Sequence, residues 1–574
     1  MELSHQRPDR PHRPPGLTLW PSSSYSSFTP SHTSSNPYIS TAPTAYNPTS
    51  SPPPPRTDSR TSSSSSSLDK PPSIDIPRHV SAALYAKGLN VSDIGLVTFR
   101  TDSRSHPRNW PLLRKIFDTS LICFLEFFMT LVSIAGSVAA DITGKSLGFS
   151  FVGSICSWVT LYMLAQAVGA LVFPPIVERF GCRLIYTTST FVFCLACLLI
   201  AVWPTKESVI VGRIVSGLVS AMPAVVATGS LENMWDTRGR IWIIHLWISG
   251  AVLGMAGGPA VATYISQSAF GWPFVYGIAG ITAFVLTLLC ILMQESRPTQ
   301  VLQQQVRKIS KRVQFDQLSA DTGTLPSFRE FVRSSLWRPM QFYFTEPIVF
   351  VVSFMGAFVY GLIYLFSACL TRVYVDGFGM ERGSASLVML ALAVSIPFTF
   401  LPRIYDIRLI HRIERSGKSV KPEDKLFGFY LAAPVLAAGL WWFAFSVPHG
   451  SSCTAVALWS SMGALILVGY GVIEFDTTLS GYLVDAYGSY AASANAPMSF
   501  LRAVLSGVFP LFANQMFEGM GNRDALILLA SLATSFCVVA AVFRVYGRGL
   551  RQRSRFAEEQ QGQEILVEDK WDEP

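Results

Sequence analysis

The chain has 574 residues, half of them apolar and only 14% charged, with 45 Lys and Arg against 37 Asp and Glu for a net charge of +8. A soluble protein carries about 25% charged residues, so an ordinary soluble enzyme is disfavoured. The 39 Phe and 13 Trp argue equally against a wholly disordered chain.

In chain order, residues 1–112 read as a disordered, Ser/Pro-rich cytosolic tail. Pro52 to Pro55, the run Ser62 to Ser67 and scattered Ser, Thr and Pro cannot bury enough apolar surface to offset their chain entropy. The tail lacks the basic segment and short apolar stretch of a cleavable signal peptide. From Ile116 onward, apolar runs of about 20 residues recur, the length that crosses roughly 30 Å of hydrocarbon as a helix. Six are expected near 116–140, 148–172, 184–203, 208–230, 241–265 and 272–293. A polar central loop, 294–345, follows. Six more runs lie near 347–371, 383–402, 426–447, 453–480, 490–514 and 524–546. The expected fold is therefore an all-α membrane protein of twelve transmembrane helices in two six-helix bundles, 113–293 and 346–546, with a cytosolic C-terminal tail, 547–574.

With the N-terminus in the cytosol, 38 of the 45 basic residues fall on the inner side and 5 on the outer side. This asymmetry is the positive-inside signature and sets both termini in the cytosol. The remaining two, Arg213 and Arg502, lie in the interior of spans, away from their ends, as do the acids Glu126, Glu474 and Asp476. Charges in hydrocarbon are costly and face a cavity or a partner, which makes these five the candidate coupling and transport residues. Glu126 sits near the middle of the first span. Burial penalises the charged carboxylate, so such a group can take a proton from one side and release it on the other. The alternative is a permanently hydrogen-bonded acid. Arg213 stays charged and needs a carboxylate, carbonyls or water. It either biases a nearby acid or holds the bundle together. Glu474 and Asp476, two residues apart on a helix, point to different sides and do not form a paired-carboxylate site. Both are candidates for contact with a cationic substrate.

Glu178, Arg179 and Arg183, with Gly181 between them, lie after the second span. They read as a gate latch that pairs in one state and parts in another, or as plain interfacial anchors. Gly250, Gly254 and Gly258 place small residues on one helix face for close approach of a partner, and Pro259 permits a bend. Trp247, Tyr360 and Tyr364 are candidate cavity-wall aromatics.

Several blocks resemble the major facilitator superfamily, and within it the fungal drug:proton antiporters with twelve spans. They are Arg108 to Pro111, Pro174 to Arg183, Arg213 with Gly217, the Gly250 to Pro259 series, Arg338-Pro339, Glu346-Pro347, Tyr482 with Asp485 and Tyr487, and Phe500 with Arg502. The chain departs from that pattern at Pro174, where Gly is usual, at Glu178 for Asp, at Cys182 for Arg, and at Ala262 and Thr263 in place of small glycines. The resemblance implies a proton-coupled exporter working by alternating access. Its substrates would be small amphipathic or cationic organic compounds: drugs, toxins, secondary metabolites or polyamines. An uptake permease of the same fold, or a membrane receptor or scaffold, is the alternative. No enzymatic motif, cofactor site, metal-ligand set or nucleic-acid signature is expected. The expected partners are substrate, protons and lipid, and the expected state is a monomer in the plasma membrane.

Overall fold

The structure, a computed structural model, describes residues 76–552 apart from breaks at 93, 101, 145, 316–317, 321–336, 418–419, 448–454 and 488–490. Among the described residues, twelve helices are long and apolar enough to cross a membrane. Spans 1–6 are Leu112–Thr143, Phe151–Phe180, Cys182–Val202, Lys206–Met234, Arg238–Gln267 and Pro273–Ile291. Spans 7–12 are Pro347–Phe378, Arg382–Arg415, Phe427–Ser446, Ala455–Tyr487, Ala494–Met520 and Asn522–Gly547. With an even number of crossings, the chain enters span 1 and leaves span 12 on one side, called here the terminal side.

Several helices are longer than their apolar runs. Span 1 has 32 residues, about 48 Å at 1.5 Å per residue, so its ends extend past a hydrocarbon core of about 30 Å. Span 8 differs most from expectation. It continues to Arg415, past Pro402 and through a stretch that sequence placed in a loop. Proline is tolerated inside a membrane helix when neighbouring groups take up the freed carbonyl.

The two halves repeat one packing scheme. Spans 1 and 5, 2 and 4, and 3 and 6 pair in the first half. Spans 7 and 11, 8 and 10, and 9 and 12 pair in the second. The halves meet along spans 2 and 11 and along spans 5 and 8. Thr160 donates to the Gly507 carbonyl at 2.8 Å across the first seam, and Thr399 bonds His245 Nε2 at 3.0 Å across the second. Between spans 1 and 7, Ser133 and the Tyr364 hydroxyl lie 3.0 Å apart.

The expectation of a wholly disordered 1–112 segment needs correction at its end; residues 1–75 lie outside the described set. A helix, Arg78–Tyr85, leads into an antiparallel pair, Leu89–Val91 with Leu96–Phe99. Ser319–Ala320 of the central loop adds a parallel strand to Leu96 and Val97. The central-loop helix Pro298–Val313 packs Leu302, Val306 and Ile309 against Val80, Leu84, Leu89 and Val97. The tail residues fold because their apolar partners come from more than two hundred positions away, which local composition does not reveal.

Candidate functional site

A cavity lies at mid-depth where the halves meet. Span 1 contributes Glu126 and Thr130, span 2 contributes Met163 and Gln166, span 7 contributes Tyr360 and Tyr364, and span 11 contributes Ser499, Arg502 and Ser506. Glu126 is 3% exposed. Arg502 and Asp476 are the charged groups close enough to act on it electrostatically. Arg502 Nη1 donates to both Asp476 oxygens, at 3.0 and 3.2 Å, and its guanidinium sits 4.7 Å from the centre of the Tyr360 ring. The site therefore combines one buried acid, Arg502 with its ion-pair partner Asp476 behind the wall, and two phenol rings whose centres lie 6.3 Å apart at a tilt of 32°. Water-accessible space in it is about 20 Å³. Organic ligands occupy pockets of about 300–1,000 Å³, so the halves must part before such a compound enters.

Helix packing sets where Glu126 stands. The faces of Gly254 and Gly258 on span 5 lie against span 1: a Cβ at Gly254 would collide with the Phe127 carbonyl, and one at Gly258 with Ile134. Gly250 is less crowded, with the Cys123 carbonyl 3.5 Å from where its Cβ would be. Thr130 donates to the Glu126 carbonyl at 2.7 Å and reaches the Ala251 carbonyl at 3.2 Å. The small-residue series thus holds the helix that carries Glu126 close to span 5. Pro259 lies inside span 5.

Arg213 is fully buried and meets carbonyls, with no acid among its hydrogen-bond partners in the described residues. Its guanidinium donates to the carbonyls of Trp158 at 2.7 Å, Val132 at 3.2 Å and Ser133 at 2.8 Å, and lies 4.2 Å from the Tyr162 ring centre. Trp158 belongs to a π-helical segment, Cys156–Thr160, in span 2. Such a bulge disturbs the usual hydrogen-bond ladder and presents carbonyls to a side chain. Gly136 leaves the space, since a Cβ there would collide with the guanidinium. These contacts form a clamp that joins spans 1, 2 and 4.

The loop after span 2 is built around an acid that sequence placed in the central loop. The Glu295 carboxylate accepts from the backbone of Cys182 at 2.9 Å, Arg183 at 3.1 Å and Arg297 at 3.0 Å, capping the N-terminus of span 3. Gly181 has φ of 89°, and a Cβ there would collide with Glu295. Glu178 pairs with Arg297 at 3.2 Å, and Arg183 donates to the Ile291 carbonyl at 2.6 Å. Arg179 lies over Phe180. In this state the loop is fastened to the end of span 6, within the first half. Glu295→Ala is expected to remove a helix cap worth about 1 kcal/mol, seen as a lower unfolding temperature of the purified protein.

Three other expectations meet their geometry here. Glu474 and Asp476 do face different sides: neither lines the cavity, but Asp476 reaches its wall through Arg502 and Glu474 does not. Glu474 pairs with Arg403 at 2.7 Å, a residue that sequence had assigned to a loop. Trp247 is buried in span 5 and is not a cavity-wall residue. At the terminal side, Tyr487 donates to Glu346 at 3.2 Å and Lys425 to Asp485 at 2.7 Å, so these motif residues tie the ends of spans 7, 9 and 10 together. An acid two residues before an Arg directly after span 6, and charges at helical spacing after Pro402, were the available signals for Glu295, Arg297, Arg403 and Asp406.

Two six-helix halves around a shared cavity define a twelve-span membrane transporter. Residues 119–510 match the Major Facilitator Superfamily, and the chain belongs to it. It is similar to an efflux pump, radE, of Floropilus chiversii, with 29% identity over 517 residues, covering 84% of this chain and 93% of that one. It is also similar to the multidrug transporter TPO1_2 of Candida glabrata, at 27% identity over 79% of this chain and 78% of that protein. The multidrug transporter FLU1 of Candida albicans is likewise 27% identical, over 82% of this chain and 78% of its own length.

Proposed function

We propose that this protein is a proton-coupled exporter of small amphipathic or cationic organic compounds, a monomer with both termini in the cytosol, in the plasma membrane. The observation that carries it is the cavity shared by both halves. It holds Glu126 beside the Asp476–Arg502 pair, with Tyr360 and Tyr364 as an aromatic wall for apolar or cationic groups. The named roles of the similar fungal proteins as efflux pumps and multidrug transporters support outward transport. The excess of Lys and Arg on the terminal side supports the orientation.

In the cycle, Glu126 binds a proton when the cavity faces outward and gives it up on the cytosolic side, where substrate then enters. Arg502 is held by Asp476, so its charge is available to stabilise the ionised Glu126 only in part. The exchange of proton for substrate needs one acid whose two forms favour different cavity openings. Drug, toxin, metabolite and polyamine substrates share the chemistry that this wall accepts.

Inside-out membrane vesicles with an acidic lumen test the proposal. They are expected to accumulate rhodamine 6G or spermidine, used as a lipophilic cation and a polyamine probe, and to stop when a protonophore collapses the gradient. Accumulation that ignores the gradient contradicts proton antiport, and accumulation only in right-side-out vesicles supports an uptake permease instead.

A further inference from the structure

The second half holds a knot of charge separate from the cavity. Arg403 of span 8 donates from Nη2 to Glu474 Oε2 of span 10 at 2.7 Å, and its Nη1 lies 3.3 Å from Asp406 Oδ2. Relative exposures are 5% for Arg403, 4% for Asp406 and 0% for Glu474. One polar atom of each is left without a hydrogen-bond partner among the described residues: Arg403 Nε, Asp406 Oδ1 and Glu474 Oε1. The site is fitted into the packing, because a Cβ at Gly428 of span 9 would collide with the Glu474 carboxylate and crowd Arg403 Nη2 at 2.6 Å.

Its charges do not balance. Two carboxyl groups face one guanidinium. The other charged or titratable groups that face them are few. Lys425, ahead of span 9, acts on Asp406 but is engaged by Asp485 at 2.7 Å. Tyr470 of span 10 is neutral when protonated. His245 of span 5 faces Arg403 from the other half of the molecule, and its Nε2 is bonded to Thr399. If both acids were ionised, one carboxylate would stand uncompensated in a low-dielectric interior, which proteins avoid by taking up a proton.

We propose that Asp406 and Glu474 share one proton, so that Arg403, Asp406 and Glu474 form a neutral proton-binding site on the terminal side of the second half, separate from Glu126. The proton resides on Asp406 Oδ1 or Glu474 Oε1, the two oxygens without partners. Protonation turns that oxygen into a donor and leaves the other carboxylate in a one-to-one pair with Arg403. The site also has a gate. Thr399 stands one helical turn before Arg403, and its bond to His245 closes the seam between the halves. Parting of spans 5 and 8 breaks that bond and lets water reach the triad. The proton therefore exchanges with terminal-side solvent when that seam is open and is trapped when it is closed. This inference concerns proton occupancy and does not rest on the direction of transport.

Infrared difference spectroscopy of the purified full-length protein tests it, in a Glu126→Gln background that removes the cavity acid. At neutral pH the parent is expected to show a carboxylic-acid C=O stretch that shifts in D₂O. Asp406→Asn and Glu474→Gln are each expected to remove a component equal to one carboxyl group, because the remaining acid then pairs with Arg403 and ionises. The conservative variants Asp406→Glu and Glu474→Asp are expected to keep that component at a shifted frequency. Absence of the acid band in the parent overturns the proposal whether or not the variants fold. Persistence of the full band in both neutral variants overturns it as well.

Discussion

Glu126→Gln is expected to lower proton-driven transport at least about tenfold, equivalent to about 1.4 kcal/mol on the limiting step, and to leave the residual flux flat across pH. Gln keeps the shape and polarity of the side chain but cannot exchange a proton. Glu126 is buried in the cavity wall and faces the Asp476–Arg502 pair, so no bulk solvent can replace its function. In the wild type, flux should rise as the outer compartment is acidified, since a larger share of Glu126 is then loaded from that side. Initial rates in vesicles at a series of lumenal pH values, with the cytosolic face held at one pH, measure this directly. The size of the purified variant's unfolding transition distinguishes lost coupling from lost fold.

Arg213→Met is expected to cost stability more than a single change at Glu126, Glu474, Asp476 or Arg502, by roughly 3 kcal/mol or more. It removes donors from three buried carbonyls on two other helices and opens a void beneath Tyr162. Arg213→Lys should rescue little of this loss. One ammonium at the end of a flexible stem cannot span carbonyls that the planar guanidinium reaches at once. Gly136→Ala should mimic the defect from the other side, because its methyl group takes the place of the guanidinium. Thermal unfolding in detergent, followed by tryptophan fluorescence, is the readout. A variant as stable as the wild type would mean that the carbonyl clamp contributes nothing.

Much of this architecture was legible in the sequence because hydrocarbon imposes a simple rule: a helix of about 20 apolar residues for each crossing. Glu126 and Arg502 stood out for the same reason, as costly charges in apolar runs. The repeat of pairing between halves was not legible, because it lies in which helices touch and not in shared residues. The sequence alone ends span 8 at Pro402, where apolar content falls and proline usually signals an end. Arg403 and Asp406 beyond it are buried by tertiary contacts, with Gly428 of span 9, Glu474 of span 10 and His245 of span 5 around them. Arg213 reads in the sequence as needing partners, but those partners are backbone carbonyls of span 1 and of the π-helical segment in span 2, and backbone has no sequence signature. Glu295 resembled one more loop charge until the fold brought it to the start of span 3. The small sheet at 89–99 escaped for the opposite reason, since its stabilising partner is a distant helix.

The central claim is that inward proton movement through Glu126 drives compound outward through the shared cavity. Its most direct test is counterflow in vesicles reconstituted with the purified protein and loaded with an acidic buffer and a pH-reporting dye. Addition of rhodamine 6G or spermidine at the terminal face is expected to alkalinise the lumen as the compound enters, in the wild type and not in Glu126→Gln. Compound entry without a lumenal pH change, or an equal proton signal per compound in Glu126→Gln, would contradict the account.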